Sequence, residues 1–344
     1  MSVQNTAAWV VSHKAHPFQI KPAPLGVPEE NEILIRNRAI GINPIEHKIQ
    51  NTDLHKETLS YPAIFGEDVA GEVVSVGPGV TKFKPGDRVA GLAAGFYTQK
   101  KEEMAYQAYL VLMTKLAVKI PEKYTFQQAA AFPLAVGTSA AALFNRDALN
   151  LQLPTHPARE STGKVVLVWG GASAVGCSAI QLAVSAGYEV LTTASPKNFD
   201  LVKRLGASHV FDYKSLTVVA DLLKATEGKE SAGVFDCVGF DAAPLVQEFA
   251  HKVNGVKFIS CTVPGWPEPP AGVTLKHVFS LSILQTHVAK AIWDDYLPDA
   301  IEAGTFVPAP VPLDFGSGLE SLQGAVDFLG EKGVSARKVV VSLD

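Results

Sequence analysis

Two rhythms of apolar and polar positions divide the chain. Through about residue 125, short apolar runs are separated by turn residues, as in ILIRNRAIGINP, AGEVVSVGPGVTKFKPGDRVAG and AYQAYLVL. Runs of this length, rich in β-branched and aromatic residues and bounded by Gly and Pro, predict β-strands. PGV and KPGD are turns, because proline fixes φ at one position while glycine accepts the positive φ that another demands. The alternating apolar residues of MSVQNTAAWVVSHKAHP form a first strand, and the segment lacks the basic flank and long apolar centre of a secretory signal. Together these runs predict a strongly bent antiparallel β domain.

From about residue 132, strand and helix alternate. KVVLVWG is followed by a helix over about 175–187, YEVLTTAS by FDLVKRLGA, HVFDY by LTVVADLLKATEG, and GVFDCVG by PLVQEFAHKV, with VKFISCT after them. Continuous apolar strands separated by amphipathic helices predict a parallel sheet covered on both faces. Such a sheet binds ligands beyond the carboxyl ends of its strands. AAAFPLAVGTSAAALF, at 129–144, is interrupted by Pro133, Gly137, Thr138 and Ser139; it falls short of a membrane span and reads as a buried interdomain helix. PGWPEPPAG, at 264–272, has the composition of a rigid surface loop. After about residue 295 β character returns in FVPAPVPLDF, followed by a helix in GLESLQGAVDFLGEKG and a final strand, ARKVVVSL, that rejoins the first domain. The expected fold is α/β, with residues 1–131 and 295–344 in a β-rich domain and 132–294 in a doubly wound domain inserted into it.

Composition narrows the function. The 344 residues are 47% hydrophobic and 19% charged, as in a soluble globular protein. A formal charge of -4 and a pI near 6.2 give no general attraction to nucleic acid or to anionic membrane. Cys177, Cys237 and Cys261 cannot form a fully paired framework, which fits a reducing compartment such as the cytosol. A small-molecule substrate is therefore the expectation.

The turn Gly170-Gly171-Ala172-Ser173-Ala174-Val175-Gly176 lies between a strand and a helix at the head of several β-α units. Free backbone N–H groups and the positive helix end suit such a turn to a dinucleotide pyrophosphate. Gly171 permits the tight bend, Gly176 lets the helix approach the strand, and the Ser173 hydroxyl is a candidate donor to phosphate. An ordinary ligand-free β-α turn is the alternative. Cofactor choice is decided at the end of the second strand, where an Asp or Glu accepts the ribose hydroxyls of NAD. TTASPKN has no acid from Thr193 to Ser195, and Ser195 and Lys197 are placed to bond and neutralise a 2'-phosphate. NADPH is therefore expected. Lys197 as a solvated loop charge, and Tyr213 as a half-buried aromatic rather than a flank of that phosphate, are the other readings.

Taken with NPIEHK at 43–48, GEDVAGEVVSVGPGVTKFKPGDRV at 66–89, AAAFPLAVGTSAAAL at 129–143 and the closing GVSARKVVV, the chain resembles the medium-chain dehydrogenase/reductase superfamily from end to end. It is most similar to the zinc-free quinone reductases and the fungal trans-acting enoyl reductases. The resemblance implies a GroES-like β-rich catalytic domain and a Rossmann nucleotide domain. In zinc alcohol dehydrogenases of this superfamily a Cys stands near position 43 and a His follows in G-H-E. Asn43-Pro44 and Gly66-Glu67-Asp68 occupy those places here, and AGLAAGFYTQKKEEMAYQAYL lacks the four cysteines of a structural zinc lobe. No metal site is expected.

The resemblance further implies that Lys48 orients the nicotinamide ribose or donates to the substrate oxygen, that Thr138 faces the carboxamide, and that Asn43 lines the same cleft. It also implies backbone contacts to the nicotinamide from Cys261-Thr262-Val263. For Lys48 the other reading is a surface pair with Glu46 or Glu67, and for Thr138 a hydroxyl bonded back to its own helix turn. Met104 replaces the usual glycine of Gly-Ala-Phe-x-Glu-Tyr, Gln107 stands in the polar position beside the cleft, and Tyr106 is a candidate proton source. Without a Lewis acid, conjugate reduction is the accessible chemistry, because charge develops on an enolate that hydrogen-bond donors can hold. Reduction of an enone or enoyl thioester is therefore expected. A quinone reductase and a catalytically silent nucleotide-binding protein are the alternatives. An acyl carrier partner would leave a basic apron, for which Lys56, Lys100 and Lys101 are the candidates, and a monomer or homodimer fits equally.

Overall fold

A computed structural model describes residues 4–343. The chain forms two compact units, one from the N-terminus through Leu134 together with Val307 onward, the other Ala135–Phe306.

The first unit is built around the strand Glu32–Gly41, whose Ile33, Ile35, Ala39 and Ile40 are fully buried. It pairs antiparallel with Asp68–Val76, Tyr109–Met113 and Arg337–Ser342, so the final strand does rejoin the first domain. The sheet runs Val311–Ser317, Arg337–Ser342, Glu32–Gly41, Asp68–Val76, Arg88–Leu92, Ala117–Lys119. A smaller sheet joins Asn5–Val10 to Gln19–Ala23 and Ala63–Ile64. The first strand is the one expected from MSVQNTAAWVV; Met1 to Val3 lie outside the described residues. Gly79 and Gly86 adopt φ of +75° and +88° in the PGV and KPGD turns, the left-handed values that favour glycine. At Gly71 a side chain is excluded for another reason: a Cβ would lie 2.1 Å from the Arg36 carbonyl oxygen, where the pairing register shifts and the sheet bends.

The second unit is a six-stranded parallel sheet in the order His209–Asp212, Glu189–Ala194, Lys164–Trp169, Glu230–Asp236, Phe258–Cys261, Thr274–His277. Numbered along this unit the order is 3-2-1-4-5-6, and the direction of winding reverses beside the first strand, Lys164–Trp169. Ligands are taken up outside the carboxyl ends at such a reversal, and the glycine turn follows directly on that strand.

Two elements depart from the sequence reading. Thr274–His277 forms a sixth, half-exposed edge strand after the proline-rich loop. Residues 288–303 are helical where β character was expected to begin, and Trp293, Tyr296, Leu297, Ala300 and Ile301 of this stretch are buried. Pro298 lacks an N–H and crowds the carbonyl four residues earlier. The helix accommodates it with one wide π turn over Ala291–Tyr296.

Candidate functional site

In the second unit the glycine turn is closed by hydrogen bonds to the neighbouring strand end. Gly170 N–H donates to Thr193 Oγ1 (3.0 Å) and Gly171 N–H to the Thr193 carbonyl (2.9 Å). Gly170 has φ of +85°. A Cβ on Gly171 would lie 2.1 Å from Thr192 Oγ1, and one on Gly176 would lie 2.3 Å from the Gly170 carbonyl oxygen. Both glycines are therefore required by close approach, Gly171 to the Thr192 side chain and Gly176 to the backbone of the turn.

Ser173 caps the helix Ala174–Ser185: its Oγ accepts from Gly176 N–H (3.0 Å) and donates to the Gly170 carbonyl (2.9 Å). The hydroxyl expected to serve a phosphate is thus committed to the turn itself. Phosphate capacity rests instead on the first backbone N–H groups of the helix, at Ala174 and Val175, which no helical turn satisfies. Ser173→Ala is expected to lower stability by about 1 kcal/mol, read as a fall in the thermal midpoint with nucleotide affinity changed far less than by a glycine substitution.

The flanking groups converge on this turn. Thr138 is half-buried on the helix Pro133–Phe144, and its neighbour Ser139 donates from Oγ to the Val175 carbonyl (2.9 Å), which pins that helix to the start of the turn helix. At the end of the second strand the Ser195 and Tyr213 hydroxyls lie 3.5 Å apart, and Lys197 is exposed beside them on the single turn Pro196–Asn198. The Cys261-Thr262-Val263 segment leaves the fifth strand; its Thr262 N–H bonds the Asp236 carbonyl (3.2 Å). Burial pushes the thiol of Cys177 up to about 12 and that of Cys261 up to about 11, so both are neutral packing groups.

Asp236 was missed in the sequence, where it ended an apolar strand without a motif. It is fully buried; Oδ2 accepts from Gly239 N–H (2.7 Å), while Oδ1 has no partner among the described residues. Burial raises its pKa to about 7, against the N–H groups of Gly239 and Val238, which lower it. A carboxyl with a raised folded-state pKa binds its proton more tightly folded than unfolded. Its contribution is most favourable below the unfolded value and is lost as pH rises toward 7. Asp236→Asn is expected to remove on the order of 4 kcal/mol of pH-dependent destabilisation at full ionisation. The check is the difference in thermal midpoint between pH 5 and pH 8 (settings chosen to bracket the about 7 above), which should shrink in the variant.

The first unit holds a second constellation. Asn43, at the start of the helix Pro44–Asn51, donates from Nδ2 to Asp68 Oδ2 (2.9 Å), and its Oδ1 accepts from Lys338 Nζ (2.5 Å). Lys338 Nζ also reaches Asp68 Oδ2 (2.5 Å), while Asp68 Oδ1 accepts from the Leu134 N–H (2.5 Å). Glu46 Oε2 accepts from Asn43 N–H (2.8 Å). Asp68 and Glu46 are wholly buried, and Glu67 and Lys338 are only 3% and 4% exposed. Burial raises Glu46 to about 7, opposed by the Lys338 charge; Glu67 is raised well above the usual carboxylate range by burial and then by the charges of Glu46 and Asp68.

The structure bears on several expectations for the first unit. Asn43, expected to line a cleft, has its amide engaged on both sides inside the nest. Lys48 is exposed on the same helix, and no ion pair to Glu46 or Glu67 is present among the described residues. Gln107 is buried, donating to the Lys101 and Met104 carbonyls (2.9 and 2.7 Å) and accepting from Asn5 Nδ2 (2.9 Å), so it braces a loop. Met104 fills the space beside Gly95, where a Cβ would meet its Cγ at 2.6 Å. Tyr106 is fully buried, and burial followed by the charges of Glu46, Asp68 and Glu67 pushes its phenol well above the ordinary range. Of the surface lysines, Lys100 faces Glu29, Glu32 and Glu103 within 3.3 to 3.6 Å, Lys101 lies over the Trp9 ring, and Lys56 pairs with Glu57. Lys56 and Lys100 are thus paired with carboxylates.

Residues 29–122 match the alcohol dehydrogenase GroES-like domain and residues 174–295 the zinc-binding dehydrogenase family. The chain belongs to the medium-chain dehydrogenase/reductase superfamily and is an oxidoreductase of that superfamily. It is 50% identical over 99% of its length, and 99% of the relative's, to the zinc-binding alcohol dehydrogenase domain-containing protein cipB of Emericella nidulans. It is 36% identical to the trans-enoyl reductase himH of Aspergillus japonicus, over 99% of this chain and 98% of that one. Among solved structures, an alcohol dehydrogenase superfamily protein from Novosphingobium aromaticivorans superposes with a TM-score of 0.80 at 24% identity, covering 99% of this chain and 100% of its own. The CurK enoyl reductase gives 0.77 at 21% identity over 99% and 100%, and a mycobacterial protein complexed with NADPH gives 0.70 at 24% over 98% and 99%.

The second family description implies zinc, and the residues present do not fit it. The first ligand place holds the Asn43 amide, whose oxygen is taken by an ammonium, and the second holds Glu67. Among the described residues no group of three His, Cys, Asp or Glu is arranged to hold a metal ion. Nor is any described helix long and apolar enough to cross a membrane.

Proposed function

We propose that the chain is an NADPH-dependent reductase of activated C=C bonds, acting on an enone or enoyl thioester without zinc. The observation that carries the cofactor choice is the second strand end: Thr193 and Ala194 are buried and uncharged, the Ser195 and Tyr213 hydroxyls and Lys197 lie beyond them, and no acid stands between Thr193 and Lys197, where one would accept the ribose hydroxyls of NAD. Ala174 and Val175 offer their N–H groups to the pyrophosphate, and the bound nicotinamide supplies the hydride.

Substrate class follows from the donor set. Neither thiolate nor imidazole stands at Asn43 or Glu67, so a carbonyl that needs a Lewis acid for direct reduction is poorly served. Conjugate addition of hydride leaves an enolate, which one or two hydrogen-bond donors can stabilise. Thr138, on the helix pinned to the turn by Ser139, and Lys48, exposed on its helix, are the donors assigned to the nicotinamide and the substrate oxygen. The kinship with a protein named trans-enoyl reductase supports the same class.

Fluorescence titration with NADPH and NADH, followed by turnover assays on enones, enoyl thioesters in free and carrier-bound form, and quinones, tests this reading. NADPH is expected to bind at least about tenfold more tightly than NADH, with the preference falling about tenfold in Lys197→Ala, the value of one charged contact to phosphate. Turnover of quinones alone, or equal binding of the two nucleotides, would overturn the assignment.

A further inference from the structure

The strand His209–Asp212 ends level with the second strand of its sheet, Asp212 standing opposite Ala194 in the parallel register. The chain then turns back at once: the Ser215 N–H donates to the Asp212 carbonyl and the Lys214 N–H to Asp212 Oδ1, both at 3.0 Å. The Asp212 carboxylate is thereby tied to the backbone of the turn. The Lys214 ammonium is left to the Tyr213 ring, 5.8 Å from its centroid, a cation–π seat. Lys197 and Lys214 are both exposed, and neither is ion-paired among the described residues. Two unpaired ammonium groups thus flank two hydroxyls, those of Ser195 and Tyr213, that lie 3.5 Å apart.

We propose that Lys214 is a second phosphate-binding cation at this strand end, and that it and Asp212 together set how strongly a 2'-phosphate is preferred over a free ribose hydroxyl. The proposal rests on the cofactor reading above and adds to it the turn of the neighbouring strand. A phosphate monoester carries about 1.5 to 2 negative charges at neutral pH, so the ammonium of Lys197 alone leaves charge uncompensated. Lys214 supplies the second cation, and its seat on the ring keeps the ammonium beside the residue whose hydroxyl faces Ser195. Asp212 works against it, because a carboxylate at a strand end suits ribose hydroxyls and repels phosphate. Removing the ammonium leaves that acid unopposed, and removing the acid leaves the ammonium unopposed. The two substitutions are therefore expected to act in opposite directions.

The test is calorimetric titration of the full chain with adenosine 2',5'-bisphosphate and with adenosine 5'-monophosphate, which differ by the 2'-phosphate alone. Wild type is expected to bind the bisphosphate more tightly. That preference should fall about fivefold in Lys214→Gln, the upper end of what one exposed charge contact contributes. It should survive in Lys214→Arg and rise by about twofold or more in Asp212→Asn, whose side-chain oxygen can still accept from the Lys214 N–H. Affinity for the monophosphate should stay within about twofold throughout, and each difference should shrink in concentrated salt. A preference that falls in Lys197→Ala and is unchanged in Lys214→Gln overturns the proposal while leaving the NADPH reading standing. Equal binding of the two probes by wild type overturns both. Lys214→Gln that loses affinity for the two probes alike also overturns it, since the lysine would then shape the turn and not read the phosphate.

Discussion

Gly176→Ala is expected to abolish nucleotide binding in practice, with affinity for NADPH falling about a hundredfold or more, near 3 kcal/mol. The added methyl group would sit 2.3 Å from the Gly170 carbonyl oxygen, 2.6 Å from Gly171 Cα and 2.8 Å from the Gly171 carbonyl carbon. All three atoms are backbone, so no side chain can rotate away. The turn must move, and it is held by the bonds of Gly170 and Gly171 to Thr193. Relief therefore requires breaking those bonds or tilting the helix, and either displaces the N–H groups of Ala174 and Val175. Gly163→Ala is the control, because Gly163 has φ of +70° in the same unit but open space where its Cβ would go. It should lower the thermal midpoint through backbone strain of about 1 kcal/mol while leaving NADPH affinity unchanged. A folded Gly176→Ala that binds NADPH within about threefold of wild type would show that the turn does not receive the pyrophosphate.

The turn was legible in the sequence because its parts are contiguous: strand, glycines and helix follow one another within a dozen or so residues, and each leaves a local mark. The parallel sheet and the returning C-terminal strand were legible for the same reason, as uninterrupted apolar runs. What escaped was long-range or atypical. Thr274–His277 is a four-residue edge strand with half its positions exposed, so it carries no apolar run to notice. The helix over 288–303 was hidden by Pro298, which a wide turn accommodates. The nest escaped because its members are far apart in the chain: Asn43 and Asp68 are 25 positions apart, Asp68 and Lys338 270, and Asn43 and Lys338 295. A signal was present: Lys338 opens VVV in a strand, and Glu67-Asp68 interrupts an apolar stretch between Phe65 and Val69. Charges set into buried strands need partners, but the sequence does not say which charge meets which. Ser173 shows a local claim that competes with a ligand's, since its hydroxyl, a candidate donor to phosphate, caps the turn helix.

Lys338→Met is expected to be the most destabilising single substitution in the first unit, costing about 3–5 kcal/mol. The side chain removed is 4% exposed, and its partner Asp68 is wholly buried. Methionine occupies nearly the same volume, so little of the loss comes from a cavity; it comes from leaving Asp68 without its ammonium and the Asn43 Oδ1 without its donor. Asp68 would keep the Asn43 amide and the Leu134 N–H. Two hydrogen bonds to neutral donors do not offset a buried unpaired charge. Adding Asp68→Asn to Lys338→Met should recover most of the stability, because replacing both partners of a buried pair is far cheaper than removing one. Thermal midpoints of the two single variants, the double variant and wild type complete the cycle. A double variant no more stable than Lys338→Met would mean that the lysine supports the sheet through its aliphatic stem and not through its charge.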